Sequence, residues 1–414
     1  MAVVRPFRAL RPRAELADRV ASLPYDVMDI EEARAMAAGN DLSFLHVSRP
    51  EIDLRDDVDP YDDAVYTQGR TNLDVFLERG VLVVDDVPTF SVYRQRMGDH
   101  VQTGIVAVAA VDDYESGVIA KHELTRPDKE LDRVRHFDAL EAQDEPVFLL
   151  SARHDDVEAL IDEVTSREPQ VDVVTDDGVG HTVWVVSDET EVARLTAAFA
   201  EIPRLYVADG HHRSAAASRV RAERRRRGID GGGWRQHDGF LVVVFAADEP
   251  SILPYHRVVA DLARHTPDDL LARLGDAFEV VPADGPPEPS MRHVIGMYLP
   301  GQWYRLAVRE GRVDEGDPVA RLDVSVLQDF VLAPLLQVGD PRTDRRLRFV
   351  GGIRGTSELE RLVDSGDAAV AFAVHPTSVA DLVALADEGQ IMPPKSTWFE
   401  PKLRSGLFVH ALQD

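Results

Sequence analysis

The sequence predicts an α/β protein with a mixed sheet (α+β), and three observations support this prediction. Short runs rich in β-branched residues, bounded by glycine and aspartate turns, are typical of strands. Longer segments between them carry apolar side chains at helical spacing. The chain has 414 residues, more than one ordinary core requires, because domains usually contain roughly 100–200 residues. We therefore expect two or three compact units.

Residues 1–80 are predicted to form an N-terminal segment of mixed structure. The apolar spacing predicts a helix at 29–38 and a longer amphipathic helix at 61–79. A short apolar run predicts a strand at 44–47.

Residues 81–250 are predicted to form a second segment, which is rich in strands. Strands are expected at 81–84, 89–96, 103–111, 147–150, 171–175, 182–186, 202–208 and 240–245. Helices are expected at 129–140, 157–165, 189–199 and 214–227. The glycine run at 231–233 predicts a loop.

Residues 251–414 alternate helical and strand patterns, which predicts a second α/β unit. Its helices are expected at 267–278, 324–336, 357–365 and 378–388. Its strands are expected at 292–298, 303–308 and 368–374.

The composition excludes several classes of function. Lys and Arg number 46 and Asp and Glu 73, so the net charge is −27, which disfavours nucleic acid as a partner. The longest apolar run is far shorter than the roughly 20 residues that span a bilayer, so no membrane partner is expected. The N-terminus lacks the apolar part of a secretory signal, which predicts a cytoplasmic protein. With no cysteine, disulfides and thiolate chemistry are excluded.

The most informative motif is Asp-Gly-His-His-Arg at residues 209–213, between an apolar segment and an alanine-rich helical segment. A strand that turns at a glycine directly into a helix presents backbone N–H groups that favour anions. The arginine can also hold a phosphate through two parallel hydrogen bonds. Phosphate binding is therefore predicted for Gly210, His211, His212 and Arg213. Asp209 is a candidate magnesium ligand or second carboxylate, or simply the N-cap of the helix.

A second polar cluster, His-Glu-Leu-Thr, begins at His122. The sequence disfavours a zinc peptidase, because the zincin motif needs a second histidine four residues after the first and position 126 is arginine. The functional interpretation makes Glu123 a general base. In the same interpretation the anion ligands are Thr125, Lys129 and Arg133. The structural alternative is a polar loop that enters a helix capped by Thr125.

Lysine is rare in this chain, with four lysines among 46 basic residues. They fall in two short segments, as Lys121, Lys129, Lys395 and Lys402. Lysine suits point contact with a phosphate or carboxylate where a planar guanidinium fits badly. This placement predicts a functional role, although chance is an open alternative.

Together, the two motifs resemble the ParB and sulfiredoxin-like superfamily, which includes free-serine kinases. The shared order is a His-Glu pair, a helix, a strand that begins Glu145-Pro146, and then the Asp-Gly-His-His-Arg turn. Over its whole length the chain is similar to the bacterial and archaeal family known as domain of unknown function 1015. The supporting stretches are residues 24–27, 43–51, 253–257 and 392–397. A long insertion at about 151–201 and the C-terminal unit are departures from the superfamily domain.

The resemblance implies a nucleotide-dependent kinase that phosphorylates a small hydroxylated metabolite, with free L-serine favoured. It implies Glu123 as the base and residues 210–213 as the nucleotide phosphate site. ATP or ADP with Mg²⁺ is the expected donor. Residues expected to contact substrate or close the site are His122, Thr125, Arg257, Lys395 and Lys402. The alternatives are a nucleotide-binding regulatory switch and, less consistent with the charge, a nuclease. A homo-oligomer is left open.

Overall fold

The computed structural model describes residues 1–229, 233–287 and 291–413. Of the predicted glycine loop, residues 231 and 232 lie outside the described residues. The chain divides into two compact units. Unit 1 contains Met1–Lys121, Thr125–Pro250 and Pro401–Asp414, and unit 2 contains His122–Leu124 and Ser251–Glu400. Residues 1–80 thus belong to the same unit as residues 125–250.

The α-helices of the described residues include both short single turns and long amphipathic segments. In chain order they are α1 (Ala17–Val20), α2 (Ile30–Ala37), α3 (Leu45–Ser48), α4 (Asp63–Glu78), α5 (Val111–Ser116), α6 (Pro127–Leu140), α7 (Asp155–Thr165), α8 (Glu189–Glu201), α9 (His211–Arg226), α10 (Pro267–Leu274), α11 (Asp323–Leu327), α12 (Gly355–Asp364) and α13 (Val379–Asp387). A π-helical turn, Gln328–Leu332, follows α11.

The strands of the described residues number in chain order as β1 (Val4–Arg5), β2 (Ala9–Pro12), β3 (Leu82–Val84), β4 (Phe90–Met97), β5 (His100–Ala110), β6 (Ile119–Ala120), β7 (Ala142–Gln143), β8 (Val147–Ser151), β9 (Val171–Val174), β10 (Gly180–Val186), β11 (Leu205–Asp209), β12 (Gly239–Ala246), β13 (Ser251–Leu253), β14 (Tyr255–Val259), β15 (Phe278–Ala283), β16 (Val294–Leu299), β17 (Gln302–Val308), β18 (Leu347–Gly351), β19 (Val370–Ala373), β20 (Trp398–Glu400) and β21 (Val409–Ala411).

Unit 1 contains a mixed sheet with strand order β6-β11-β8-β12-β5-β4-β10-β9, and β1 pairs with β5. The pairs β6–β11 and β8–β12 are parallel, whereas β12–β5 and β11–β8 are antiparallel. Every residue of β12 is buried, as a strand that is covered on both faces requires. The predicted α/β class with a mixed sheet is therefore confirmed.

A second sheet in unit 1 has the order β3-β2-β21-β7. Its strand β21 comes from the last residues of the chain, which return to unit 1 after unit 2 is complete. The sequence analysis assigned this returning segment, residues 401–414, to the C-terminal unit. The strand pairing with β2 and β7 explains why they belong to unit 1.

Unit 2 contains a six-stranded sheet with the order β15-β17-β16-β19-β14-β18, and a two-stranded sheet of β13 and β20. The pairs in both sheets are antiparallel. The helix α12 packs its apolar residues, Leu359, Leu362 and Val363, into the core of this unit. No helix in the described part of the chain is both long and apolar enough to cross a membrane.

One secondary-structure prediction was wrong, and two helices were predicted with the wrong extent. The strand predicted at 44–47 is the helical turn α3, in which the Ser48 N–H and Oγ both donate to the Phe44 carbonyl. The helix predicted at 267–278 ends at Leu274, and Phe278 begins β15. The helix predicted at 324–336 is the short α11 followed by the π-helical turn. Short apolar runs fit either helix or strand, and tertiary packing decides between them.

Candidate functional site

The turn at residues 209–213 joins β11 to α9, as the sequence predicts, and α9 begins at His211 rather than at 214. Gly210 is the N-cap and has φ +97°. In this left-handed region a side chain is strained. A Cβ at this position would also lie 3.1 Å from the Arg213 guanidinium carbon. Glycine is therefore required here for both backbone conformation and space.

The start of α9 has no side-chain cap. The first N–H groups of a helix have no partner within the helix, and together with the helix dipole they favour an anion. The carboxylate of Asp209 does not cap the helix: its Oδ1 instead accepts the Gly210 N–H at 2.8 Å. The turn thus keeps the backbone arrangement on which its predicted phosphate binding depends.

Asp209 lies between two cations. Its Oδ2 accepts from Lys402 Nζ at 3.1 Å, and its Oδ1 is 3.8 Å from Arg213 Nη2. The lysine side chain is 9% exposed and the aspartate side chain 29%. Two cations therefore lie close to the start of the helix. Mg²⁺, which is usually bound by one or two carboxylates together with substrate phosphates, would find one carboxylate here and would share it with Lys402.

The Arg213 side chain points into unit 1. It is 3% exposed, and its Nη1 donates to the Pro146 carbonyl. Burial opposes its charge, but Asp209, Asp26 and Glu145 outweigh that effect and hold the pKa of Arg213 above its ordinary value. This arrangement differs from the bidentate phosphate contact predicted from the sequence. Arg213 supports the turn from beneath and orients Asp209.

The two histidines differ in exposure: His211 is buried and His212 is half-buried. The Nε2 atom of His212 accepts the Arg126 N–H at 3.1 Å, which requires the proton of a neutral ring to be on Nδ1. This bond fixes the entry to α6 beside the turn. Thr125 does not cap α6, because Arg126 is the N-cap and the Thr125 hydroxyl donates to Glu130 at 2.5 Å.

The charged groups of Lys129 and Arg133 contact other residues than the turn. Lys129 Nζ donates to the Tyr61 hydroxyl at 2.9 Å. Arg133 donates to the Asp132 carboxylate and lies 3.9 Å from the centre of the Tyr25 ring. Both side chains thus contact protein groups in this structure, and phosphate binding by Lys129 and Arg133 stays a prediction.

A buried carboxyl close to Arg213 was missed by the sequence analysis. Glu145 is 2% exposed, and its Oε1 accepts from the Tyr25 N–H and the Ser405 hydroxyl, each at 2.9 Å. Burial, followed by repulsion from Asp144, raises the pKa of Glu145 to about 7. Glu145 and Tyr25 both lie in stretches that carry the family resemblance. Membership of these stretches is the sequence signal that could have identified Glu145.

Four of the predicted residues lie in unit 2: His122, Glu123, Arg257 and Lys395. The His122 carbonyl accepts the Met392 N–H at 2.8 Å. Arg257 is buried and donates to the carbonyls of Pro394 and Lys395 at 3.2 and 3.1 Å.

Burial lowers the pKa of Arg257 to about 10, and Tyr255 and Glu123 oppose this shift. The ammonium of Lys395 lies 5.6 Å from the centre of the Tyr255 ring. Glu123 lines a cavity together with residues 391–394. Unit 2 therefore brings all four residues together around residues 392–395, with Arg257 as a structural support for that segment.

Comparison with known proteins identifies one family. The family described as "Protein of unknown function (DUF1015)" matches residues 4–325. The curated proteins include no match to this chain.

Among solved structures, a conserved hypothetical protein from Pyrococcus furiosus is 11% identical, with 73% of this chain and 93% of that chain covered and a TM-score of 0.35. A free serine kinase in complex with ADP is 10% identical, with 73% and 88% covered and a TM-score of 0.35. SbnI with C-terminal truncation from Staphylococcus aureus is 13% identical, with 71% and 82% covered and a TM-score of 0.37.

Proposed function

The chain belongs to the DUF1015 family, and we propose that it is a nucleotide-dependent phosphotransferase that acts on a small hydroxylated metabolite. Free L-serine, converted to O-phosphoserine, is the favoured acceptor on the resemblance of the two motifs. ATP or ADP is the donor, and the nucleotide brings Mg²⁺ to the protein.

The observation that carries this proposal is the turn in unit 1. A strand ends at Asp209, a left-handed glycine reverses the chain, and α9 starts without a side-chain cap. Backbone N–H groups in this arrangement suit phosphate oxygens. Lys402 and Arg213 flank Asp209 and place two cations beside these N–H groups. In our proposal the backbone binds the phosphate, Lys402 neutralises it, and Arg213 holds the turn in place.

Phosphoryl transfer asks little covalent chemistry of a protein, because most of its catalysis is positioning and cationic stabilisation. The acceptor hydroxyl forms a new bond to phosphorus, the bond to the nucleotide's bridging oxygen breaks, and the hydroxyl proton must go to a base. We propose Glu123 as that base. A positioned carboxylate in this role contributes about 10²–10⁴-fold. When bound, Mg²⁺ neutralises phosphate charge, and Asp209 is the carboxylate of the turn that would hold it.

The proposal is tested by incubating the purified protein with Mg²⁺, ATP or ADP and a panel of hydroxylated metabolites that includes L-serine. Product masses identify the acceptor and the donor. A phosphorylated product supports the phosphotransferase. Nucleotide binding or hydrolysis without any phosphorylated product would instead favour the regulatory switch.

A matched pair of variants locates the phosphate site. Lys402→Met keeps most of the side chain but removes the charge beside Asp209, and charged hydrogen bonds contribute about 1.5–3 kcal/mol. Nucleotide affinity should fall roughly 10–100-fold. Lys121→Met is the control, because Lys121 is exposed and lies over the Tyr114 ring. Equal nucleotide affinity in both variants would contradict the assignment of the turn as the nucleotide site.

A further inference from the structure

Unit 2 contains a cavity of about 320 Å³. Its polar lining comes from Glu123, Gln328, Asp340 and Arg342, and much of the remaining wall is apolar, including Leu124, Val319 and Met392. Pockets for small molecules commonly start at about 300 Å³ and combine apolar walls with a few polar groups.

Arg342 forms an ion pair with Asp340 at the wall of the cavity. Its Nε and Nη2 donate to the two carboxylate oxygens of Asp340 at 3.0 and 2.9 Å, and its backbone N–H donates to the same carboxylate at 2.9 Å. The Arg342 hydrogen bonds hold the pKa of Asp340 below its ordinary value, so this carboxylate stays ionised. No described residue is a hydrogen-bond partner of Arg342 Nη1. The second edge of the guanidinium is therefore available to a carboxylate, which arginine binds bidentately.

The other side of the cavity has an unusual backbone. Gln328 begins the π-helical turn after α11, and such turns often occur at functional sites. Its amide nitrogen donates to the carbonyls of Val338 and Gly339 at 3.1 and 3.4 Å. These bonds hold the side chain in place beside the segment that carries Asp340. Its Oε1 atom has no donor among the described residues and is thus an acceptor for a ligand.

We infer that this cavity binds a small carboxylate that also carries a hydroxyl group, with the carboxylate on Arg342 and the hydroxyl towards Glu123. Hydroxy acids and hydroxylated amino acids share this chemistry. The apolar wall covers the carbon chain. That the bound molecule is the phosphoryl acceptor rests on the function proposed above, whereas its binding to unit 2 does not require a nucleotide.

The test is calorimetric titration of the full chain, without nucleotide, using four probes. L-Serine and 3-hydroxypropionate carry both groups, L-alanine lacks the hydroxyl, and ethanolamine lacks the carboxylate. We expect the first two to bind, and the last two to bind at least tenfold more weakly. Arg342→Ala should lower the affinity for L-serine at least tenfold. Arg342→Lys keeps the charge but loses the planar guanidinium with its paired donors, so it should also lower this affinity. Arg345→Ala, at an exposed position outside the cavity lining, is the matched control.

Three results would overturn the inference: no binding by either hydroxycarboxylate, equal binding of ethanolamine, or unchanged affinity in both Arg342 variants. Thermal unfolding of each variant shows whether it folds, and Arg342→Lys carries the test if Arg342→Ala does not. A failure of the phosphotransferase is distinguishable, because Arg342-dependent binding without product formation would leave this cavity assigned. If the Arg342 variants form product as wild type does, the phosphotransferase proposal stands and the assignment of the cavity as the carboxylate site fails.

Discussion

The turn of unit 1 and the cavity of unit 2 place their charged groups in different environments. At the turn, Arg213 and Lys402 have side chains 4% and 9% exposed and are bound to protein groups. At the cavity, Asp340 and Arg342 have side chains 41% and 44% exposed. A buried cation is fixed by its partners, and losing one partner is costly. A half-exposed arginine keeps a second edge for a ligand. The turn is therefore a rigid site. Ligand binding in the cavity depends instead on side chains that are half exposed to solvent.

The largest effect is expected at the cavity wall, from Glu123→Gln. Glutamine keeps the size of the side chain but does not accept the hydroxyl proton. Turnover should fall by about 10²–10⁴-fold, and nucleotide affinity should change little, because the phosphate is assigned to the turn. Product mass against time measures the first quantity and nucleotide titration the second.

Asp209→Asn is the partner variant for this measurement. Normal turnover in Glu123→Gln together with an inactive Asp209→Asn would move the base to Asp209. Activity in both variants would remove the kinase assignment.

The rigidity of the turn is tested by Gly210→Ala. A left-handed alanine costs about 1–2 kcal/mol, and the added methyl group would press on the Arg213 guanidinium, which adds about 1–3 kcal/mol of overpacking. Gly228→Ala is the control, since Gly228 ends the same helix with φ +77° and has open space around it. Chemical denaturation should show the larger loss in Gly210→Ala. Equal losses would mean that Arg213 moves freely.

Beneath the turn, Glu145→Gln should change how stability depends on pH. The unfolded chain ionises Glu145 near its ordinary pKa of 4.5, and the folded chain ionises it near 7. The folded state therefore binds more protons between these values, and the stabilisation that Glu145 gives below pH 4.5 is lost as the pH rises through 7. Relative to wild type, Glu145→Gln should gain on the order of 1–3 kcal/mol in free energy of unfolding between pH 5 and pH 8.

Denaturant titrations across this pH range measure the effect of Glu145→Gln. Glu201→Gln, whose side chain is 72% exposed, should show no such trend. A parallel pH profile for Glu145→Gln and wild type would mean that Glu145 ionises normally in the folded protein.

The smallest effect is expected from Lys129→Arg. The sequence alone predicted a loss of activity, on the view that Lys129 contacts phosphate. The structure directs its ammonium to the Tyr61 hydroxyl, and exposed contacts of this kind contribute about 0–1 kcal/mol. Turnover should therefore stay within about twofold of wild type in the product-mass assay. A large loss of turnover would mean that Lys129 contacts phosphate after all. An exposed cation would then matter at the phosphate site, which would weaken the contrast between buried and exposed cations.

The sequence by itself determined the parts of this protein that local preferences control. The apolar strand, the glycine and the alanine-rich helix at residues 205–226 are adjacent in the chain, so their conformations follow from propensity and backbone sterics. The same holds for the long helices α4, α6 and α9, and for the buried run of β12. The family followed from these contiguous motifs.

Tertiary structure decided which distant groups meet. Lys402 pairs with Asp209 across 193 positions, and Ser405 with Glu145 across 260, because β21 returns the chain end to unit 1. It also turned Arg213 inward, made residues 44–47 helical and joined Glu123 to Arg342 in one cavity lining. Local propensity contains no term for such contacts. They depend on which surfaces bury together, and burial is decided only when the whole core forms.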